Sequence, residues 1–436
     1  MSAKKDAAQE VFDKLDVDAM LIKSEKGNPM ALPANIECIL QNDAEWQGVL
    51  RLNEMSGEVD KVKQPPISGG LGQWRDTDDT RLSIWCSRKY GLHASVKNMY
   101  EVVNAVADEH SYSPVRDYLD NLTWDKTPRL ATMLRKYFGA SAEAPDKYLE
   151  LVGIYWMISA VARTYWPGCK ADCVLILEGE QGKKKSTALK VLCGDDWFMD
   201  TPIKIGSTDA YQAMRGIWIV ELAELDSLNR SESSTSKAFF SSTKDRYRAA
   251  YGRRVISVLR QCVFAGSVNH RQYMRDETDN RRYLPVWCDE FSLEELKADR
   301  DQLWAEAVAL YKDGHRWWAE DDDEKALFKE EQAKRYIGDA YEEKIERWLR
   351  DNPAIEVTME KLMGNALGLD SSKWSKAEQM RVGTIMTSRL GWVKKRPERS
   401  GTRIYVYFPP KNWLSVNYEP GQDAGKEMDD GEEILF

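Results

Sequence analysis

The sequence predicts an α/β fold built around a phosphate-binding loop, and three stretches in a fixed order carry that prediction. The first is Leu175-Ile-Leu-Glu-Gly-Glu-Gln-Gly-Lys-Lys-Lys-Ser-Thr187. An apolar, β-prone run from Cys173 to Leu177 enters a loop holding Gly179 and Gly182, and a helix-like pattern, Ala188-Leu189-Lys190-Val191-Leu192, follows. Strand, glycine-bearing loop, Lys-Ser and helix together form a phosphate cradle. The backbone of Gly179, Glu180, Gln181, Gly182, Lys183, Lys184, Lys185, Ser186 and Thr187 surrounds the phosphates, Lys185 reaches the β/γ oxygens, and Ser186 holds Mg²⁺. ATP and Mg²⁺ are the expected cofactors. The pattern G-x-x-x-x-G-K-[ST] asks for glycine at position 184, where this chain has Lys184.

The second stretch is Gly216-Ile-Trp-Ile-Val-Glu-Leu-Ala-Glu224, an apolar run that ends in acids. Downstream of a phosphate loop, such acids hold Mg²⁺ and position the attacking water. Acids at a strand end can also be plain surface caps, and the upstream loop favours the chemical reading. Glu221 is assigned to Mg²⁺ and Glu224 to the water; the reverse assignment fits the spacing equally. The third stretch, Gln261-Cys-Val-Phe-Ala-Gly-Ser-Val-Asn269, is another apolar strand, ending in an amide. By itself such an Asn is a turn former. In a strand beside the loop strand it orients the water or the γ-phosphate.

Composition sets the bounds. A chain of 436 residues allows two to four domains. With 71 Asp+Glu against 62 Lys+Arg, any nucleic-acid surface is local rather than global. The seven cysteines form no C-x-x-C and the four histidines have no ligand spacing, which argues against zinc. The N-terminus MSAKKDAAQEVFDKLD lacks the apolar run of a signal peptide, and the most apolar segment, Leu151 to Ala162, is too short to span a bilayer. The expectation is a soluble protein of a reducing compartment with no membrane partner.

In chain order, residues 1–135 are expected to form a mainly helical N-terminal domain and 136–318 the phosphate-loop core. Within the core, Lys244 to Arg260 reads as a hairpin turning at Gly252. Its Arg246, Arg248, Tyr251, Arg253 and Arg254 suit a nucleic-acid backbone with stackable bases; the alternative is a solvated hairpin with salt-bridged arginines. Arg281 and Arg282 enter a strand after Arg275-Asp-Glu-Thr-Asp-Asn280. They either pair with these acids or reach a neighbouring subunit's γ-phosphate as an arginine finger. Residues 319–340 read as a charged, solvated helical connector. Residues 341–412 read as three helices and a basic hairpin, a winged helix, with Lys394, Lys395, Arg396, Arg399 and Arg403 as DNA contacts. Between Ser371 and Asn412 stand ten Lys/Arg and two Asp/Glu, the local excess a polyphosphate partner requires. Residues 413–436 are an acidic tail, expected to be disordered, whose tip, ending Ile434-Leu-Phe436, suits basic, apolar pockets on replication proteins.

With these motifs in place, residues from about 104 to 318 resemble the virulence-associated E protein family. These are P-loop proteins of phages, prophages and genomic islands, related to superfamily 3 and to phage–plasmid primase-helicases. The matching strings include Pro114-Val-Arg-Asp-Tyr-Leu119, Pro128-Arg129-Leu130, Leu177-Glu-Gly-x-Gln-Gly182 with Lys185-Ser-Thr-Ala-Leu189, and Glu221-Leu-Ala-Glu-Leu225. They continue through Tyr251-Gly-Arg-Arg254, Gln261-Cys-Val-Phe-Ala-Gly266 with Asn269, and Asn280-Arg-Arg282. The resemblance implies a helicase-like AAA+/superfamily 3 core in a hexameric ring, acting on single-stranded or forked DNA in the cytoplasm of a bacterial host. It also implies that the basic hairpin lines the pore and that Asn269 is the sensor. Two other classes compete: a replication initiator that binds DNA without processive unwinding, and an NTP-dependent regulatory or defence protein. Position 184 departs from the family's usual glycine. If that position needs positive φ, lysine costs about 1 kcal/mol or more of strain, while Lys183-Lys184-Lys185 adds charge where phosphate binds.

Overall fold

The computed structural model describes residues 17–223, 233–248, 254–274, 280–336, 339–399, 402–403, 405–410 and 413. The chain divides into two compact units, Met1–Tyr336 and Ile337–Phe436.

The first unit opens with helix α1 (Pro33–Asn42), strands β1 (Leu50–Asn53), β2 (Glu58–Lys61) and β3 (Gly72–Gln73), and helices α2 (Asp76–Tyr90) and α3 (Val96–Asp108). A proline in the first turn starts α1, and the Ser95 hydroxyl accepts from the Asn98 N–H to cap α3. Gly91, in the left-handed region at φ 69°, ends α2. The apolar positions of α3 recur at helical spacing, so Met99, Val103 and Val106 meet Ile36, Ile39 and Leu82 in one core. The expected helical domain thus also contains a three-stranded antiparallel sheet, β1-β2-β3. Its core closes at Ala107. Helices α4 (Pro114–Asp120) and α5 (Met133–Lys136) instead bury Val115, Leu119, Met133 and Leu134 in the core of the sheet that follows, so packing divides the unit near residue 110 rather than 135.

That sheet is parallel, in the order β10-β4-β9-β6-β5. It follows α6 (Asp146–Tyr165), and its elements run β4 (Val174–Glu178), α7 (Lys185–Cys193), β5 (Phe198–Met199), α8 (Thr208–Ala213), β6 (Ile219–Ala223) and α9 (Ser233–Ser241). A separate antiparallel hairpin, β7 (Lys244–Arg248) with β8 (Val255–Leu259), precedes β9 (Val263–Val268), β10 (Tyr283–Trp287), α10 (Leu293–Lys312) and α11 (Asp322–Ala333). Parallel strands are covered on both faces, which is why Val174 to Glu178 is buried throughout. Alternation then sorts the residues. Leu175, Leu177, Ile219, Val263 and Ala265 face the core of α6, α7 and α10, whereas Val174, Ile176, Val220 and Phe264 face a second core with Phe239 and Phe240. Three tryptophans buried around this sheet are packing groups with satisfied N–H donors: Trp156 donates to Phe264 O at 2.9 Å, Trp218 to Ala160 O at 3.1 Å and Trp304 to Leu192 O at 2.8 Å.

The expected solvated connector is instead part of this unit. Helix α11 packs on β10 and α6, burying Phe328 between Tyr148 and Tyr155 together with Glu331, Gln332 and, beyond its end, Arg335. Its composition misleads because the buried charges are paired with one another rather than hydrated.

The second unit contains α12 (Ala340–Asp351), β11 (Val357–Thr358), a wide-turned helical segment Lys361–Ala366, and α13 (Lys376–Thr384), which runs on into Ile385–Arg389. Strands β12 (Val393–Lys395) and β15 (Val406–Phe408) join β11 in an antiparallel sheet ordered β11-β15-β12, and β13 (Glu398–Arg399) pairs with β14 (Thr402–Arg403). Ile345, Leu349, Leu362, Val382, Met386, Trp392 and Tyr407 form its core. Three helical segments match the sequence expectation, and the sheet has one strand more than the expected hairpin. Among the described residues no helix is long and apolar enough to cross a membrane.

Candidate functional site

The candidate phosphate loop leaves the carboxyl end of β4. Gly179 has φ 149°, and a Cβ there would lie 2.3 Å from Cys288 O, so backbone packing against the end of β10 requires glycine. Lys184 sits at φ 68°, ψ 27°, the left-handed conformation for which the motif reserves glycine. Its residue type is unusual; its backbone is what the loop demands. Beyond a turn at Gln181-Gly182, the backbone N–H groups from Lys184 to Thr187 donate to no main-chain acceptor among the described residues, and the first bond of α7 is Ala188 N–H to Lys184 O. A run of unengaged donors at a helix N-terminus suits a triphosphate. Gln181, Gly182, Lys183, Lys184 and Thr187 are exposed, and Lys183 Nζ lies 3.7 Å from Glu180.

Lys185 is buried. Its Nζ donates to Gly179 O at 2.6 Å, Glu180 O at 2.9 Å and Asn269 Oδ1 at 3.0 Å. Burial pushes its pKa down, and the Glu221 carboxylate acts the other way. The bond to Asn269 ties the loop to the end of β9, the strand paired with β4 (Val268 opposite Glu178). Ser186 Oγ donates to Glu221 Oε1 at 2.8 Å, so the predicted cation ligands meet. The other Glu221 oxygen, Oε2, is buried without a hydrogen-bond partner. Burial raises the Glu221 pKa, hydrogen bonds from Ser267 and Ser186 oppose the rise, and the Asp200 charge adds to it. An orphaned carboxylate oxygen beside a hydroxyl fits Mg²⁺, which takes one or two carboxylates and fills its octahedron with phosphate and water. No group of three or more His, Cys, Asp or Glu gathers for a metal among the described residues.

Other groups here had no recognisable sequence signal. Ser267, on β9, lowers the Glu221 pKa, and Asp200, which follows β5, raises it. Glu178, the residue before Gly179, is fully buried and takes a bidentate ion pair from Arg335, with Nε to Oε1 and Nη2 to Oε2 both at 2.9 Å; Tyr273 Oη donates to the same Oε1 at 2.8 Å.

The two arginines before β10 separate. Arg282 is buried, donates to Ser241 Oγ at 2.9 Å and lies 3.6 Å from Asp172, whereas Arg281 is exposed. Both precede Tyr283, which pairs with Val174 at the start of β4, while the loop follows the other end of that strand. A strand's length, about 16 Å, therefore separates them from the loop of their own chain. On the hairpin, Arg246 and Arg248 are exposed, alternating with buried Asp245 and Tyr247, and Arg254 is exposed at the start of β8. In the second unit Lys394, Lys395 and Arg396 are exposed, with Lys394 Nζ 4.4 Å and the Arg396 guanidinium 5.0 Å from the Tyr405 ring. Arg399 and Arg403 lie on β13 and β14. Glu224, Tyr251, Arg253 and the C-terminal tip lie outside the described residues.

A parallel α/β sheet with a loop at its carboxyl edge, a buried Lys185, and Ser186 bonded to an acid of β6 defines the class. The virulence-associated protein E-like domain matches residues 119–337, half of the chain, and the protein belongs to that family. Its match extends through α11, in line with the packing. No curated protein matches the chain. Among solved structures, the A form of the apo NrS-1 C-terminal region is 13% identical, covering 87% of this chain and 99% of that one at a TM-score of 0.46. A second apo structure of the same region, also 13% identical, covers 83% and 96% at 0.43.

Proposed function

We propose that this protein is an ATP-driven DNA helicase or translocase serving replication of a phage, prophage or genomic island as a ring-shaped, hexameric assembly. The convergence of Lys185, Ser186 and Asn269, which follow the carboxyl ends of β4 and β9, with Glu221 of the neighbouring strand β6 carries the reading. Bound Mg²⁺ supplies charge neutralisation on the phosphates, and Ser186 and Glu221 would hold it. The loop N–H groups bind the phosphates, Lys185 shifts from its carbonyl partners to phosphate oxygens, and Asn269 holds its side-chain amide at the γ-phosphate end. Glu224 would position the water. The strand order, with the Asn strand between loop strand and acid strand, supports an AAA+-like core. Because Arg281 lies at the far end of the sheet, it is suited to a neighbour's nucleotide, which supports a ring. The exposed arginines of the β7–β8 hairpin and the basic strand β12 in a winged-helix unit support DNA as partner.

One observation favours the second reading, an initiator that uses nucleotide only to assemble: Lys184 places a strained, charged residue in the loop. ATP turnover with and without single-stranded DNA separates the two. Stimulated turnover that is lost in Lys185→Ala, Glu221→Ala and Glu224→Ala supports the helicase reading. Nucleotide binding without turnover in the parent protein supports the initiator, and full activity in all three variants removes the site assignment.

A further inference from the structure

We infer that Asp200 is a second carboxylate of the cation site formed by Ser186 and Glu221, facing the cation through its bound water. The inference rests on the nucleotide-binding reading above and adds to it a residue that no motif marks. Strand β5 pairs in parallel with β6, Phe198 opposite Ile219 and Met199 opposite Val220, so the next positions across are Asp200 and Glu221. Neighbouring strands are about 4.8 Å apart, and residues in register point to the same face. Phe198 and Ile219 belong to the core on the α7 side, and Met199 and Val220 to the core on the other. Asp200 therefore shares the face on which Glu221 meets Ser186.

The state of the two side chains supports a ligand at this face. Glu221 is 1% exposed and its Oε2 has no partner, although its Oε1 holds the Ser186 hydroxyl at the start of the loop helix. Asp200 is exposed. The Asp200 charge raises the Glu221 pKa while the Lys185 charge lowers it, so the two carboxylates repel each other with one ammonium beside Glu221. A divalent ion bound jointly with phosphate oxygens relieves the repulsion and satisfies the orphaned oxygen. As a plain strand-end surface acid, Asp200 would contribute nothing to cation affinity.

Mn²⁺ binding to the full-length protein saturated with a non-hydrolysable ATP analogue, followed by electron paramagnetic resonance, tests this without relying on turnover. Asp200→Asn is expected to weaken Mn²⁺ binding about tenfold, the usual cost of losing a group that orients a metal's ligands. Analogue affinity in the presence of chelator should stay unchanged. Asp196→Asn, another exposed acid nearby, controls for general charge and should leave Mn²⁺ affinity unaltered. Parental Mn²⁺ affinity in Asp200→Asn, or an equal loss in Asp196→Asn, overturns the assignment of Asp200. Lys185→Ala separates the two levels: if it binds the analogue as the parent does, the phosphate-loop reading has failed, whatever Asp200 does.

Discussion

Arg335, just beyond the end of α11, forms a bidentate ion pair with Glu178, the last residue before the candidate phosphate loop, across 157 residues of sequence. Arg335 also donates to Glu331 Oε2 at 2.7 Å, and its carbonyl receives the N–H groups of Tyr273 and Met274, a few residues past Asn269. Loop, amide-bearing segment and α11 are thus tied at one buried point. Removing one partner leaves an uncompensated charge, so Arg335→Ala is expected to cost about 3–5 kcal/mol in urea unfolding. Arg335→Lys should recover little, because an ammonium cannot reproduce the fork. The pair Glu178→Gln with Arg335→Met should recover at least half of the loss; equal destabilisation by the double variant would show that the ion pair is not its source.

Glu221 makes stability pH-dependent. Burial, with Asp200 adding to it, holds its carboxyl above the usual 4.5. The folded state therefore binds the proton more tightly than the unfolded state does. The residue's favourable contribution is present in full below pH 4.5 and is lost as pH rises through the raised value. Glu221→Gln should accordingly stabilise the protein at neutral pH, on the order of 1 kcal/mol, while removing turnover. That gain should shrink towards zero in acid, and a pH-independent effect in denaturation curves would contradict it.

Lys184→Gly should relieve the left-handed strain and stabilise the first unit by about 1 kcal/mol, or ~2–4 °C in Tm. Lys184→Ala, which keeps a Cβ at the same φ, should give no such gain. Calorimetry of the two variants decides whether the loop conformation or the lost charge is responsible.

The divided arginines predict different phenotypes. Arg282→Ala should lower stability by about 1–3 kcal/mol, because it strips a buried donor from Ser241 and the charge facing Asp172. Arg281→Ala should leave stability within about 0.5 kcal/mol and remove turnover. Mixing Arg281→Ala protein with Lys185→Ala protein should restore part of the activity, since each then supplies what its neighbour lacks. No restoration at any mixing ratio would argue against action between subunits.

Replacing Lys394, Lys395 and Arg396 together by Ala should weaken DNA binding uniformly across sequences. The slope of log affinity against log salt should fall by about 2–3, roughly one for each phosphate that is no longer neutralised. An unchanged slope would move the DNA site elsewhere.

Much of the site was legible because its chemistry is local. A loop that cradles phosphate needs glycines, Lys and Ser within a few residues, and an apolar strand ending in Glu221 or Asn269 shows itself as a run. The face of a strand is also local, since alternation sends Leu175 and Val174 to opposite cores. Arg335 was not legible: α11 carries few apolar residues, and a charged helix reads as solvated unless its partner is known. Asp200 gives no sequence signal because a two-residue β5 has no period, and only an extension of the β5–β6 register past Met199 brings it level with Glu221.

The sequence by itself determined the α/β core, the family and the charge of the second unit, and it singled out the candidate cradle and the candidate cation ligands. These depend on spacing along the chain and on residue type. The tertiary structure alone decided that α11 belongs to the core, that the N-terminal module ends near residue 110, and that Arg282 is buried while Arg281 is exposed. Each of these depends on contacts between residues far apart in the chain, where burial and pairing rather than local pattern determine whether a charge is solvated, stabilising or available for chemistry.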